Sequence, residues 1–294
     1  MTGIGFIGLG VMGLPMAQQL ARHFGQVAAF DVSPSDEARQ TPSLRLVQNP
    51  ALVGQASDVV FLCLPGAYAS LAVLNGPQGL LSVARPGLSV VELSTLDPQV
   101  IREIGSRYAA CDTAFCDAPV FGAPVHAREG KQAVVVSGEE AHYEAVRAVI
   151  ETFARRVTYV GALGTASLIK VMQNSLGLVQ IVAIAEAFAV FEAAGGDPHK
   201  FYEAVVGCGG MADSPLFAKV GIDFADHQAR FGALLRIAAK DIALGDHLAQ
   251  RSGAPAQLIA HAAALYETAL KEGFGDADQL AFSPANRRAA GQAG

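Results

Sequence analysis

Lys170 and Asn174 stand four residues apart in the stretch GALGTASLIKVMQN, residues 161–174, which is otherwise small and apolar. On a helix this spacing puts both side chains on one face, where an ammonium and a carboxamide can reach the same substrate oxygen. Burying an unpaired ammonium is costly, so a lysine here needs an explanation. Read by itself, it either serves a reaction or snorkels to solvent near the helix start. A second group, Gly8, Gly10 and Gly13, fits G-x-G-x-x-G directly after an apolar run at residues 4–7 and before helically spaced Leu14, Met16, Ala17, Leu20 and Ala21. Strand, glycine turn and helix form the entry of a dinucleotide-binding unit. In such a unit Gly8 allows the tight turn, Gly10 lets the backbone approach a pyrophosphate, and Gly13 lets helix and strand pack closely. Leu9, Val11 and Met12 complete the turn, and unpaired N–H groups at the helix start hold the phosphates with help from the helix dipole. The alternative is a glycine-rich turn that binds nothing, since the chain has 31 glycines.

The elements that must position these groups follow from the pattern. Residues 26–30 read as a second strand ending at Asp31, 18 residues after Gly13. There an acidic side chain accepts hydrogen bonds from the adenosine ribose, or simply closes a strand-end turn. A third strand at 58–64 is closed by Pro65-Gly66. A fourth at 88–93 is followed by Ser94-Thr95 and by Asp97-Pro98, an N-cap and first-position pair. Strands at 114–117, 132–137 and 157–160 surround a helix at 139–153. This alternation predicts a largely parallel sheet covered on both sides.

After Gly161 the pattern changes. Residues 165–194 hold no proline and one glycine, with apolar residues at helical spacing. They predict one helix of about 30 residues, ~45 Å long, closed by Gly195-Gly196. Further helices are expected at 199–206, 231–251 and 255–272, with no further strand. The fold class is therefore α/β: a Rossmann-type dinucleotide-binding domain at residues 1–162, then an all-helical domain at 163–294, joined by the long helix. The small, polar tail at 283–294 is expected to fray.

Composition narrows the function. Apolar residues make up 51% of the chain and charged ones 16%, enough for a large core and too few charges for a disordered chain. The net charge is −6 and no basic cluster stands out, so nucleic acid and anionic membranes are not expected partners. Four cysteines without C-x-x-C spacing read as free thiols in a reducing compartment. The N-terminus enters a strand almost at once and shows no basic n-region, so a cytoplasmic location is expected. The apolar stretch at 176–194 carries Gln180, Glu186 and Glu192 and reads as a buried helix rather than a membrane span. No spacing suggests a metal site or a nucleophile elbow.

Five stretches in order resemble the β-hydroxyacid dehydrogenases, the 3-hydroxyisobutyrate dehydrogenase family. They are GFIGLGVMG at 5–13, ELST at 92–95, DAPVFGA at 117–123, GALGTASLIKVMQN at 161–174, and Lys240-Asp241. The resemblance covers nearly the whole chain. It implies hydride transfer between a nicotinamide cofactor and a small 3-hydroxy acid, or reduction of the matching semialdehyde. It assigns Lys170 as general acid–base and Asn174 to the substrate. Ser94 and Thr95 would contact nicotinamide or substrate, Leu64-Pro65 would pack on the adenosine side, and Lys240 would lie at the cofactor. Helix-capping, a plain turn and a solvated ion pair are the corresponding bland alternatives. The helical domain would pack on a second subunit, giving a homodimer or homotetramer.

The departures from the family pattern concern the substrate. The usual DAPVSGG loop holds the substrate carboxylate with its serine and glycine backbone. Here Phe121 removes the hydroxyl, Gly122 is kept, and Ala123 adds a methyl that restricts the backbone. These changes set 3-hydroxyisobutyrate and tartronate semialdehyde in question as substrates. Gln173 replaces the first asparagine of Lys-x-x-Asn-Asn. His126, near the loop, reads as a surface residue. Asp31 would repel a 2′-phosphate and no arginine follows in Val32-Ser33-Pro34, so NAD is expected over NADP. Two same-fold alternatives fit less well. 6-Phosphogluconate dehydrogenases are longer and carry histidine before the asparagine, and imine reductases lack the lysine. A non-catalytic dinucleotide-binding protein is the alternative of a different class.

Overall fold

The computed structural model describes residues 2–286, so most of the tail expected to fray lies outside the described residues. The chain forms two compact units, divided between Lys170 and Val171.

The first unit is built on a six-stranded parallel sheet of order β3-β2-β1-β4-β5-β6. The strands are β1 (Ile4–Ile7), β2 (Val27–Phe30), β3 (Leu44–Leu46), β4 (Val59–Leu62), β5 (Ser89–Glu92) and β6 (Ala114–Asp117). Helices α1 (Gly13–Phe24), α2 (Asp36–Arg39), α3 (Pro50–Gln55), α4 (Ala67–Asn75) and α5 (Pro98–Ala109) connect them. Strands β1 and β4 are buried along their whole length, which is why they read as unbroken apolar runs. Their side chains alternate between two cores. Ile4, Phe6, Val59 and Phe61 enter one, while Ile7, Val60 and Leu62 enter the other. The strand order reverses between β1 and β4. Open α/β sheets take ligands at such a switch point, beyond the carboxyl ends of the strands.

A second sheet completes the unit. β7 (Val120–Phe121) pairs antiparallel with β8 (Gln132–Val136), which pairs parallel with β9 (Ala154–Tyr159). Helix α6 (Pro124–Arg128) links β7 to β8, and α7 (Glu140–Ile150) links β8 to β9. Strands β3 and β7 escape sequence reading because they are three and two residues long. So short a stretch shows no period.

Helix α8 (Thr165–Ala193) runs for 29 residues across the division between the units. The change of pattern after Gly161 marks where this helix starts, whereas packing marks where it leaves the first unit. Beyond it lie α9 (Pro198–Val205), α10 (Pro215–Ala225), α11 (Leu235–Ser252) and α12 (Gln257–Lys271). Helix α10 was not expected, although Ser214 caps it and Pro215 occupies its first turn. Leu178, Ile181, Val182 and Phe188 of α8 pack with Phe217, Phe224, Ile242 and Tyr266 in the helical core. By length and composition α8 could cross a membrane. The expectation of a buried helix holds for one face only. Leu176, Val190 and Phe191 are exposed, because the helices of one chain cover only one side of it.

Candidate active site

The glycine turn takes its shape from close packing. Gly8 has φ +94°, and a Cβ there would collide with the Cys63 carbonyl. A Cβ at Gly13 would collide with the Gly8 carbonyl. At Gly10 a Cβ would meet no atom within 4 Å, so the turn presents bare backbone to open space there. Val11 is exposed, Met12 precedes α1, and no side chain caps that helix. Its first N–H groups therefore remain available to an anion.

Asp31 closes the turn from the end of β2. Its Oδ2 accepts the Leu9 N–H at 2.6 Å and its Oδ1 accepts the Ser33 N–H at 2.7 Å. Each oxygen keeps a further lone pair for a ribose hydroxyl. A cavity of about 520 Å³ lies beside Leu9, Gly10 and Asp31, with Arg22 and Arg128 also on its wall. Sequence reasoning looked for cations only just after Asp31 and missed both. Arg128 comes from the distant α6, and Arg22 looks like an ordinary last-turn helix residue.

The next strand ends are joined by two hydrogen bonds through Ser94. The Leu64 N–H donates to Ser94 Oγ at 2.8 Å, and the Ser94 N–H donates to Glu92 Oε1 at 2.9 Å. Ser94 is buried and its hydroxyl holds the loop that begins at Leu64-Pro65, while Thr95 beside it is half-buried. Burial pushes the Glu92 carboxyl up to about 7, with the Asp117 charge adding to the rise and Ser94 opposing it. Burial likewise pushes the Cys63 thiol up to about 12, with the Glu92 charge adding to the rise.

Strand β7 ends at Phe121, and Gly122 and Ala123 form the loop that follows it. The Lys170 ammonium lies 4.6 Å from the centre of the Phe121 ring. Gly122 uses φ +142°, which side chains rarely adopt. Ala123, by contrast, sits at φ −89°, ψ 169°, ordinary extended backbone. Its methyl therefore brings no backbone strain at this position. The Ala123 N–H donates to His126 Nδ1 at 3.0 Å, so the exposed His126 serves this loop rather than being idle surface. Asp117 reaches the start of α8, where its carboxylate accepts the Gly164 and Ser167 N–H groups at 3.0 and 2.8 Å. Sequence reasoning assigned Asp117 no role.

In the helical unit, the Asn174 Nδ2 donates to Asp241 Oδ2 at 2.7 Å, and Lys240 Nζ pairs with Asp241 Oδ1 at 2.7 Å. A carboxylate only accepts, so Asp241 sets which way the Asn174 amide faces. Gln173 is exposed. The structure thus brings Lys170 to Phe121 in one unit, and Asn174 to Lys240 through Asp241 in the other. Among the described residues, no group of three or more His, Cys, Asp or Glu could hold a metal ion.

Two family models cover nearly all of the chain. The NAD-binding domain of 6-phosphogluconate dehydrogenase matches residues 3–161. The NAD-binding domain of NADP-dependent 3-hydroxyisobutyrate dehydrogenase matches residues 164–284. The chain is 30% identical over 285 residues to the mitochondrial 3-hydroxyisobutyrate dehydrogenase of Pongo abelii, covering 94% of this chain and 84% of that one. It is 30% identical over 241 residues to 2-hydroxy-3-oxopropionate reductase of Escherichia coli K12, covering 82% of each. A solved structure of Mycobacterium tuberculosis 3-hydroxyisobutyrate dehydrogenase with L-serine superposes with a TM-score of 0.84 at 26% identity. That match covers 98% of this chain and 99% of the other.

Proposed function

The chain belongs to the β-hydroxyacid dehydrogenase family, and we propose that it interconverts a small 3-hydroxy acid and its semialdehyde using NAD, with Lys170 as the general acid–base. It is an oxidoreductase acting on a CH–OH group with a nicotinamide dinucleotide. The bare turn at Gly10 and the Asp31 carboxylate beside the cavity fit that cofactor.

The observation that carries the catalytic assignment is the placement of Lys170. It is half-buried, with its ammonium against the Phe121 ring at the end of β7, where the loop to α6 begins. A solvated lysine would project away from the loop. When bound, a nicotinamide ring accepts the carbon-bound hydrogen of the alcohol with its electron pair. Lys170, as the neutral amine, takes the hydroxyl proton at Nζ as that C–H bond breaks, and the resulting ammonium returns a proton when the semialdehyde is reduced. Asn174, its amide held by Asp241, has a second N–H to orient the reacting oxygen.

Asp31 supports NAD over NADP, because a carboxylate pinned at the end of β2 faces the place where a 2′-phosphate would add charge. Phe121 and the His126–Ala123 hydrogen bond support a substrate end less dependent on carboxylate recognition at this loop. The exposed Leu176, Val190 and Phe191 of α8 support a homodimer or homotetramer.

The test is a screen of purified protein against 3-hydroxy acids and semialdehydes, followed by the absorbance of reduced nicotinamide. Cofactor binding with no turnover across the panel would overturn the proposal and favour a non-catalytic dinucleotide-binding protein.

A further inference from the structure

Gly164, the residue before helix α8, has no side chain to cap it. The first four N–H groups from Gly164 onward are nevertheless all satisfied. Thr165 donates locally, to the Ala162 carbonyl at 3.1 Å. The other three go to two side chains from distant strand ends. Gly164 N–H donates to Asp117 Oδ1 at 3.0 Å, Ser167 N–H to Asp117 Oδ2 at 2.8 Å, and Ala166 N–H to Ser137 Oγ at 3.0 Å. Ser137 Oγ in turn donates to Asp117 Oδ1. Asp117 and Ser137 also exchange both backbone hydrogen bonds, at 3.1 and 2.8 Å. Both side chains are fully buried.

We infer that the Asp117–Ser137 pair is the positioning device of Lys170, a remote N-cap that sets where α8 begins and so where the ammonium stands. The inference rests on the proposal that Lys170 is the acid–base. Ser167, held by Asp117, lies one turn before Lys170 on the same helix face. The regular backbone between them carries a shift at the cap to the lysine Cα. A carboxylate is suited to this place for two reasons. It offers two oxygens to diverging N–H groups, and its charge opposes the positive end of the helix dipole. Ser137 extends the grip to a third N–H and, as a donor, locks one carboxylate oxygen. Neither residue touches the reacting atoms in this scheme. They act through α8.

Two variants test this. Asp117→Asn keeps the shape but turns one acceptor oxygen into an NH₂ group that faces a backbone N–H. Ser137→Ala leaves the Ala166 N–H without its acceptor and removes the lock on Asp117. Each should lower kcat by about tenfold or more through misplacement of Lys170. NADH affinity, measured by fluorescence titration, should stay within about twofold, because the glycine turn and Asp31 are untouched. The rate is measured with the best 3-hydroxy acid from the substrate screen.

The decisive comparison adds Asp117→Asn to Lys170→Ala. If Asp117 works through Lys170, the second substitution should hardly lower the residual rate further. General damage to the fold would lower the rate as much in the Lys170→Ala background as in the wild type, and that result overturns the inference. Folded Asp117→Asn and Ser137→Ala proteins with kcat within about twofold of wild type would also overturn it. Should Asp117→Asn fail to fold, Ser137→Ala alone decides by the same two comparisons. Near-normal turnover by Lys170→Ala removes the acid–base assignment itself, a failure of the underlying proposal with its own distinct signature.

Discussion

The ammonium of Lys170 stands 4.6 Å from the centre of the Phe121 ring, a cation–π contact between the start of α8 and the end of β7. Such a contact is worth roughly 0.5–2 kcal/mol, depending on how far water is excluded. It holds the ammonium while filling the position where the family pattern carries a serine. Phe121→Ser should therefore raise kcat/KM for 3-hydroxyisobutyrate, by about tenfold for one hydrogen bond to a carboxylate. The neutral alcohol lacking the carboxylate should gain nothing. Equal changes for both compounds would show that Phe121 does not govern carboxylate recognition.

Lys170→Ala removes the proposed base and leaves the glycine turn intact. Its kcat should fall by about 10²–10⁴ with little change in NAD affinity. Lys170→Arg should be nearly as inactive, because a guanidinium does not release a proton near neutral pH. Asn174→Ala should raise KM and lower kcat together, since it loses the amide proposed to orient the substrate oxygen. Steady-state kinetics paired with cofactor titration separates these outcomes. Near-normal turnover by Lys170→Arg would exclude proton transfer by this residue.

The carboxylate of Asp31, pinned by the Leu9 and Ser33 N–H groups, should give NAD a kcat/KM advantage over NADP of about tenfold or more. Asp31→Ser should narrow that ratio. The guanidinium groups of Arg22 and Arg128 on the same cavity wall pull the other way. A wild-type preference for NADP would mean that they outweigh Asp31.

Burial raises the Glu92 carboxyl from 4.5 to about 7, so between these values the folded chain holds a proton that the unfolded chain has lost. Stability from this group is fully present below about pH 4.5. It falls as pH rises through 7, by on the order of 3 kcal/mol in total. Glu92→Gln keeps an acceptor for the Ser94 N–H and removes the titration. It should melt higher than wild type at pH 8 and lose most of the slope between pH 5 and 7. Parallel melting curves for the two proteins across that range would contradict the assignment.

The exposed Leu176, Val190 and Phe191 should be covered by a second copy of the chain. Light scattering at micromolar concentration should give the mass of a dimer or tetramer, and Val190→Glu should shift it toward a single chain. A wild-type protein with the mass of one chain would refute the assembly.

Much of this molecule was legible in its sequence because the determining interactions are local. The glycine turn, Asp31 at a strand end and the spacing of Lys170 from Asn174 each depend on a dozen or two neighbouring residues and a single period. The 29 residues of α8 form a pattern long enough to read, and the sheet strands flanking β1 are unbroken apolar runs. What the sequence could not show depends on residues that meet only once the sheets are assembled. The cap of α8 comes from Asp117, 47 and 50 residues from the two N–H groups it accepts, and from Ser137, 29 residues from its own. The amide of Asn174 is oriented by Asp241, 67 residues away. The raised Glu92 carboxyl is a product of burial, which no residue type reveals. Even the short-range hydrogen bond from Ala123 to His126 was hidden, because it depends on a rotamer and on the turn that Gly122 permits. Local pattern chose the elements and the chemical groups. Their hydrogen-bond partners, and hence their orientation and charge, were decided by the tertiary fold, because a buried polar group takes whichever partner the packing brings within reach.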